Sequence, residues 1–136
     1  MRKLFLAIPA AMLLAAPAMS EEKIELTEKQ QAKFDRRLEG RTAGEAQSCI
    51  SFADQREMTV ISDDILIFGS RRNAKTIYVN KPIGSCHNAD SNILSYSRPT
   101  SSLCRGEIIQ LIDNTTGMST GSCAFGDFVP YTKDAD

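Results

Sequence analysis

Four cysteines, Cys49, Cys86, Cys104 and Cys123, constrain this chain most, because the stretch before them reads as an export signal. Arg2 and Lys3 make a short basic start. Leu4 to Ala16 is an apolar run broken only by Pro9, and Ala16-Pro17-Ala18-Met19-Ser20 is a small-residue exit. That three-part pattern predicts a secretory signal peptide over residues 1–20, cut after Ala18 or after Ser20. The run is shorter than the roughly 20 apolar residues a membrane span needs, and the acidic Glu21-Glu22 follows it, so no transmembrane segment is expected. The chain is therefore expected to be periplasmic or secreted, in a compartment where disulfides persist.

Cleavage after Ser20 leaves 116 of the 136 residues, enough for one domain. It also leaves 14 basic residues, two fewer than the 16 of the whole chain, against 17 acidic ones, a net charge of −3. That balance gives no electrostatic reason to expect nucleic acid or an anionic membrane as partner. Hydrophobic residues make up 42% of the chain, but the leader holds many of them. The core of the mature domain is correspondingly modest, and covalent staples would support it.

Four cysteines allow three pairings. A nested scheme, Cys49–Cys123 with Cys86–Cys104, closes loops of 75 and 19 residues; a sequential one, Cys49–Cys86 with Cys104–Cys123, closes loops of 38 and 20. Loop-closure entropy separates these two by only about half a kcal/mol. The nested scheme ties the first strand to the last and is the pairing expected here.

Residues 21–47 read as a helical arm and loop. Thr27 is the expected N-cap, with Gln30 three residues on to complete a capping box. Glu28 suits the positive end of the helix dipole, and Arg36 and Arg37 the negative end. Gly40 is the expected terminator. Only Phe34 and Leu38, with Ala32 marginal, form an apolar stripe, so the helix is expected to be largely solvated and lightly attached, or else to serve as a partner-binding arm.

From Cys49 the pattern becomes that of strands, giving a disulfide-stapled β domain over residues 48–136. Cys49 to Phe52 is a short first strand. Met58 to Ile61 and Ile65 to Phe68 flank the polar Ser62-Asp63-Asp64 and predict a hairpin. Ile65 to Phe68 is apolar throughout, which calls for burial on both faces or cover from the helix. Further strands are expected at Thr76 to Asn80, Ile93 to Ser97, Glu107 to Ile112 and Ser119 to Phe125. The fold class that follows is mainly β, a small antiparallel barrel or sandwich of about five to seven strands with one N-terminal helix. Phe125, Phe128 and Tyr131 crowd the C-terminal end; Phe125 and Phe128 are expected to seal one end of a barrel, with Gly126 permitting the bend, the alternative being a ligand- or partner-facing aromatic patch.

Little in the chain points to catalysis. The cysteines lie 37, 18 and 19 residues apart, and only Cys86-His87 is close. Structural zinc sites bring ligands within two to four residues of each other, so no metal and no cofactor is expected. His87 is the single histidine, no Gly-x-Ser-x-Gly elbow and no Cys-x-x-Cys occurs, and paired cysteines leave no thiol as nucleophile. No catalytic residue is assigned. Asp63, Asp64, Glu107, Asp113 and Asp127 are expected in turn and surface roles, and Asn114-Thr115-Thr116 fits a hairpin turn as well as a glycosylation sequon.

Leu38-Glu39-Gly40-Arg41-Thr42-Ala43-Gly44 leading to Cys49-Ile50-Ser51, Ile61-Ser62-Asp63-Asp64 with Ile67-Phe68-Gly69, Tyr78-Val79-Asn80, Leu103-Cys104-Arg105-Gly106-Glu107 and the Cys123-to-Tyr131 segment together resemble a group of small exported proteins of unknown function. These come from Gram-negative bacteria, the sphingomonads and their relatives. The resemblance spans residues 36 to 131, implies an envelope location and brings no site residues. The expected role is a non-enzymatic module binding a protein, peptide or small ligand, or an envelope-associated structural one. The alternative is a small acid-dependent hydrolase or an inhibitor, with Asp64, Glu107 and Asp127 converging on a pocket. The sequence does not set the oligomeric state.

Overall fold

The computed structural model describes residues 24–69, 74–97 and 101–135, and the expected leader lies outside them. Among the described residues there is one α-helix, α1 (Glu28–Leu38), and there are ten strands. The strands are β1 (Arg41–Ala43), β2 (Cys49–Ser51), β3 (Met58–Ser62), β4 (Ile65–Phe68), β5 (Thr76–Asn80), β6 (Asn92–Ser95), β7 (Ser102–Cys104), β8 (Ile108–Asp113), β9 (Ser119–Ala124) and β10 (Phe128–Lys133). A single 3-10 turn, Ala53–Gln55, links β2 to β3.

The helix forms where its local chemistry asks for it. The Thr27 hydroxyl accepts from the Gln30 N–H, and the Gln30 side chain accepts from the Thr27 N–H, so both halves of the capping box are made. Gly40, at φ 69°, turns the chain out of the helix in the left-handed conformation glycine tolerates. No residue of α1 is buried. Phe34 and Leu38 rest on an apolar cluster of the sheet beneath, and the Lys33 ammonium donates to the Val60 carbonyl at 3.0 Å.

Three antiparallel sheets make up the rest. The largest runs β1-β10-β5-β4-β3; β2 pairs with β7, and β6-β8-β9 forms the third. None of the three closes on itself, and residues from all three share one core cluster, so the fold is sandwich-like rather than a closed barrel. Strand alternation explains the all-apolar β4. Leu66 and Phe68 face the interior between the sheets, whereas Ile65 and Ile67 join Ile61, Ile77 and Val79 in the cluster under α1. All four β4 residues are buried, as cover on both faces requires.

Phe125 and Phe128 fill the interior between the layers, both at 0% exposure, with ring centroids 5.8 Å from Phe68. Tyr131 sits on the opposite face, against the cluster under the helix.

The strand count exceeds the five to seven expected. The additions are β1, β7 and β10, and each lacks the pattern that marks a strand. β1 is three residues taken from the segment read as a loop, and β7 is equally short. β10 contains Pro130, ordinarily a strand breaker. It is tolerated because its backbone faces β1 just where that strand ends. There its carbonyl still accepts from the Gly44 N–H at 2.7 Å, and no paired donor is lost within β1.

The disulfide pairing also departs from expectation. The bridges are crossed, Cys49–Cys104 and Cys86–Cys123, not nested. Strand register imposes the first: Cys49 lies directly opposite Cys104 in the β2–β7 ladder. For the second, an antiparallel bridge between Ile83 and Ala124, with N–H to carbonyl bonds of 2.8 and 3.1 Å, lays the Cys86 loop beside the end of β9, next to Cys123. Asp63 holds the same loop from the β3–β4 turn, its carbonyl accepting from the Cys86 N–H at 2.8 Å and its carboxylate from the Ala89 N–H at 3.1 Å. The bridges join residues 55 and 37 apart, worth roughly 4 kcal/mol each in the chain-entropy treatment.

Candidate functional site

The carboxylates singled out in the sequence are spread over separate turns. Asp63 and Asp64 occupy the β3–β4 turn, where Asp63 anchors the Cys86 loop and the Asp64 N–H donates to the Ser62 hydroxyl. The Glu107 carboxylate accepts from the Cys104 N–H at 2.6 Å and closes the β7–β8 turn. Asp113 accepts from the N–H groups of Thr115 and Thr116 and from the Thr116 hydroxyl in the β8–β9 turn. Asp127 pairs with Arg105 at 3.0 Å across exposed surface. These are the turn and surface roles expected of them. His87 is exposed, and Asn114 lies on the exposed β8–β9 turn. Among the described residues, no group of three or more His, Cys, Asp or Glu side chains is placed to hold a metal ion.

A cleft of about 350 Å³ lies elsewhere, between the 3-10 turn and one end of the large sheet. Asp54 and Arg56 come from the turn, Glu57 from the approach to β3, Gly69 from the end of β4, and Thr76 from the start of β5. Two contacts hold these segments in place. The Gly69 N–H donates to the Glu57 carbonyl at 2.9 Å. Arg41 of β1 donates to the carbonyls of Ala74, Lys75 and Tyr131 at 2.7, 3.1 and 3.3 Å, fixing the chain that enters β5. Burial pulls the Arg41 guanidinium below its ordinary value, but arginine remains charged. Gly69 has φ 78°, and a Cβ there would stand 3.3 Å from the Thr76 carbonyl, so the corner suits glycine alone.

The cleft carries both signs of charge. Asp54 accepts from the Ser51 hydroxyl at 2.6 Å and faces Tyr78 of β5. Burial first, and the Asp54 carboxylate second, push the Tyr78 phenol above its ordinary value, so Tyr78 stays a neutral hydroxyl beside the acid. Arg56 and Glu57 are exposed on the rim, and the Thr76 hydroxyl shares a hydrogen bond of 3.1 Å with Thr132. Sequence reading missed these residues. Their only local mark is the charged run Asp54-Gln55-Arg56-Glu57 between two strands, which is indistinguishable from an ordinary loop.

No helix among the described residues is long and apolar enough to cross a membrane. No protein-family model, curated protein or solved structure matches the chain.

Proposed function

We propose that the protein is an exported, non-enzymatic binding module, periplasmic or secreted, whose cleft beside the 3-10 turn takes a small zwitterionic ligand. The observation that carries this reading is the cleft itself, which the oppositely charged residues Asp54 and Arg56 line together with Glu57. Its volume of about 350 Å³ is at the small end of ligand pockets, the size of an amino acid or dipeptide. A ligand ammonium matches the acidic side, and a ligand carboxylate matches the Arg56 fork. Export is supported by the pairing of all four cysteines. The acid-dependent hydrolase is disfavoured, because Asp64, Glu107 and Asp127 each serve a different turn or surface pair and none lines this cleft.

The test is thermal unfolding of the full mature protein against a panel of free amino acids and dipeptides, with Arg56→Ala in parallel. A ligand present at about 100 times its Kd stabilises by about 2.7 kcal/mol. A saturable rise in Tm for at least one compound, lost in Arg56→Ala, is the expected result. No rise with any member of the panel, or a rise unaffected by Arg56→Ala, overturns the proposal.

A further inference from the structure

The two bridges differ in access. Cys86 and Cys123 are buried, at 0% and 5% exposure, within the interior cluster. Cys49 and Cys104 are half-buried, in a two-stranded sheet that pairs with neither of the other sheets. The Arg105 N–H donates to the Ser48 carbonyl at 2.7 Å, and the Phe52 N–H to the Ser101 carbonyl at 3.2 Å. These bonds place Cys49 opposite Cys104 at a position without ladder hydrogen bonds, so the backbone there closes no bond over the sulfurs. The Cys104 N–H is instead bonded to Glu107. The Ser102 hydroxyl stands 3.6 Å from Cys104 Sγ. A disulfide sulfur has no hydrogen, so the hydroxyl is the donor in this contact.

We propose that Cys49–Cys104 is a site of thiol–disulfide exchange with an external dithiol, while Cys86–Cys123 is a permanent staple. A thiolate of the dithiol attacks Cys49 Sγ, forming a mixed disulfide and breaking the Cys49–Cys104 bond. The bond's electron pair leaves on Cys104 Sγ, where the Ser102 O–H donates to the new thiolate before solvent protonates it. The second thiol of the reagent then attacks its own sulfur in the mixed disulfide and releases Cys49. The net change is two protein thiols formed and one dithiol oxidised to its disulfide. Glu107 works against charge on Cys104 and acts as a brake; Ser102 sets which sulfur leaves. Exchange rate follows access and the stability of the leaving thiolate; the half-buried bridge has the advantage in access, and the Ser102 hydroxyl offsets the Glu107 charge at the leaving sulfur.

The experiment uses the full mature protein, exposed to dithiothreitol and acid-quenched at short intervals. Free thiols are alkylated and located by peptide mass spectrometry. Early sampling reads the first bridge to open even if later opening unfolds the chain. Cys49 and Cys104 should become labelled at least about tenfold faster than Cys86 and Cys123. Ser102→Ala should slow that labelling about threefold or more, leaving the slower pair unchanged. A smaller rate ratio, or opening of the buried bridge first, overturns the assignment of the site. A Ser102→Ala rate within that factor of wild type overturns the assignment of Cys104 as the leaving sulfur.

Discussion

Asn80 is the side chain on which the packing of the C-terminal aromatic segment turns, and replacing it by alanine should be among the most damaging single changes in the chain. It ends β5 at 0% exposure. Its amide nitrogen donates to the Gly126 carbonyl at 2.8 Å and, more weakly, to the Asp127 carbonyl at 3.4 Å. Its amide oxygen accepts from the Gly126 N–H at 3.0 Å. Gly126 is itself buried, between the two phenylalanines that fill the interior. Asn80→Ala therefore strands both backbone groups of one buried residue, at about 1–3 kcal/mol for each unsatisfied group, with a small cavity besides. A loss of about 3–5 kcal/mol follows, a large part of the roughly 5–15 kcal/mol that holds a typical domain folded. Urea denaturation should show a lower midpoint with an unchanged slope, the sign of lost stability rather than altered compactness. Asn80→Asp keeps the acceptor but turns a second oxygen toward the Gly126 carbonyl, and should be no milder. A loss below about 1 kcal/mol for Asn80→Ala would refute this reasoning, because it would mean the Gly126 groups find other partners at little cost.

Two further outcomes come from the same structure. Gly126→Ala should destabilise by about 2–4 kcal/mol, because a Cβ there would lie 2.2 Å from the Lys81 carbonyl oxygen and the backbone must move; an unchanged urea midpoint would contradict that contact. The Asp113 carboxyl is held below its ordinary value of 3.8 by the Thr116 and Thr115 N–H groups, Thr116 first. Its support of the β8–β9 turn should thus be complete above that value and lost as pH falls through the lower, folded-state one. Carboxyl NMR titration of Asp113 should give a midpoint below 3.8, and a midpoint at or above it would remove the turn from the account.

What the sequence revealed was local. The capping box of α1 needs only Thr27 and Gln30, three residues apart, and both its hydrogen bonds are present. The β3–β4 hairpin and β8 show because a polar turn between apolar runs is a short-range signal. The all-apolar β4 called for burial on both faces or for cover from the helix, and its residues divide between the interior cluster and the one under α1. Everything that depended on register between distant segments was hidden. Cys49 meets Cys104 because β2 pairs with β7 across 55 residues, and entropy arguments cannot see which strands pair. β10 was masked by Pro130, whose missing donor matters only if the partner strand continues beyond it. The cleft was hidden for the same reason. Asp54, Arg56 and Glu57 acquire meaning only when β4 and β5 bring Gly69 and Thr76 beside them.

Two crossed bridges brace a small interior. Peptide mass spectrometry of the mature protein, made by export and digested without reductant, reads that pairing directly. Linked peptides joining Cys49 to Cys104 and Cys86 to Cys123, with no alkylatable thiol in the native sample, are the predicted result. Free thiols at these positions, or a Cys49–Cys123 linkage, would contradict it.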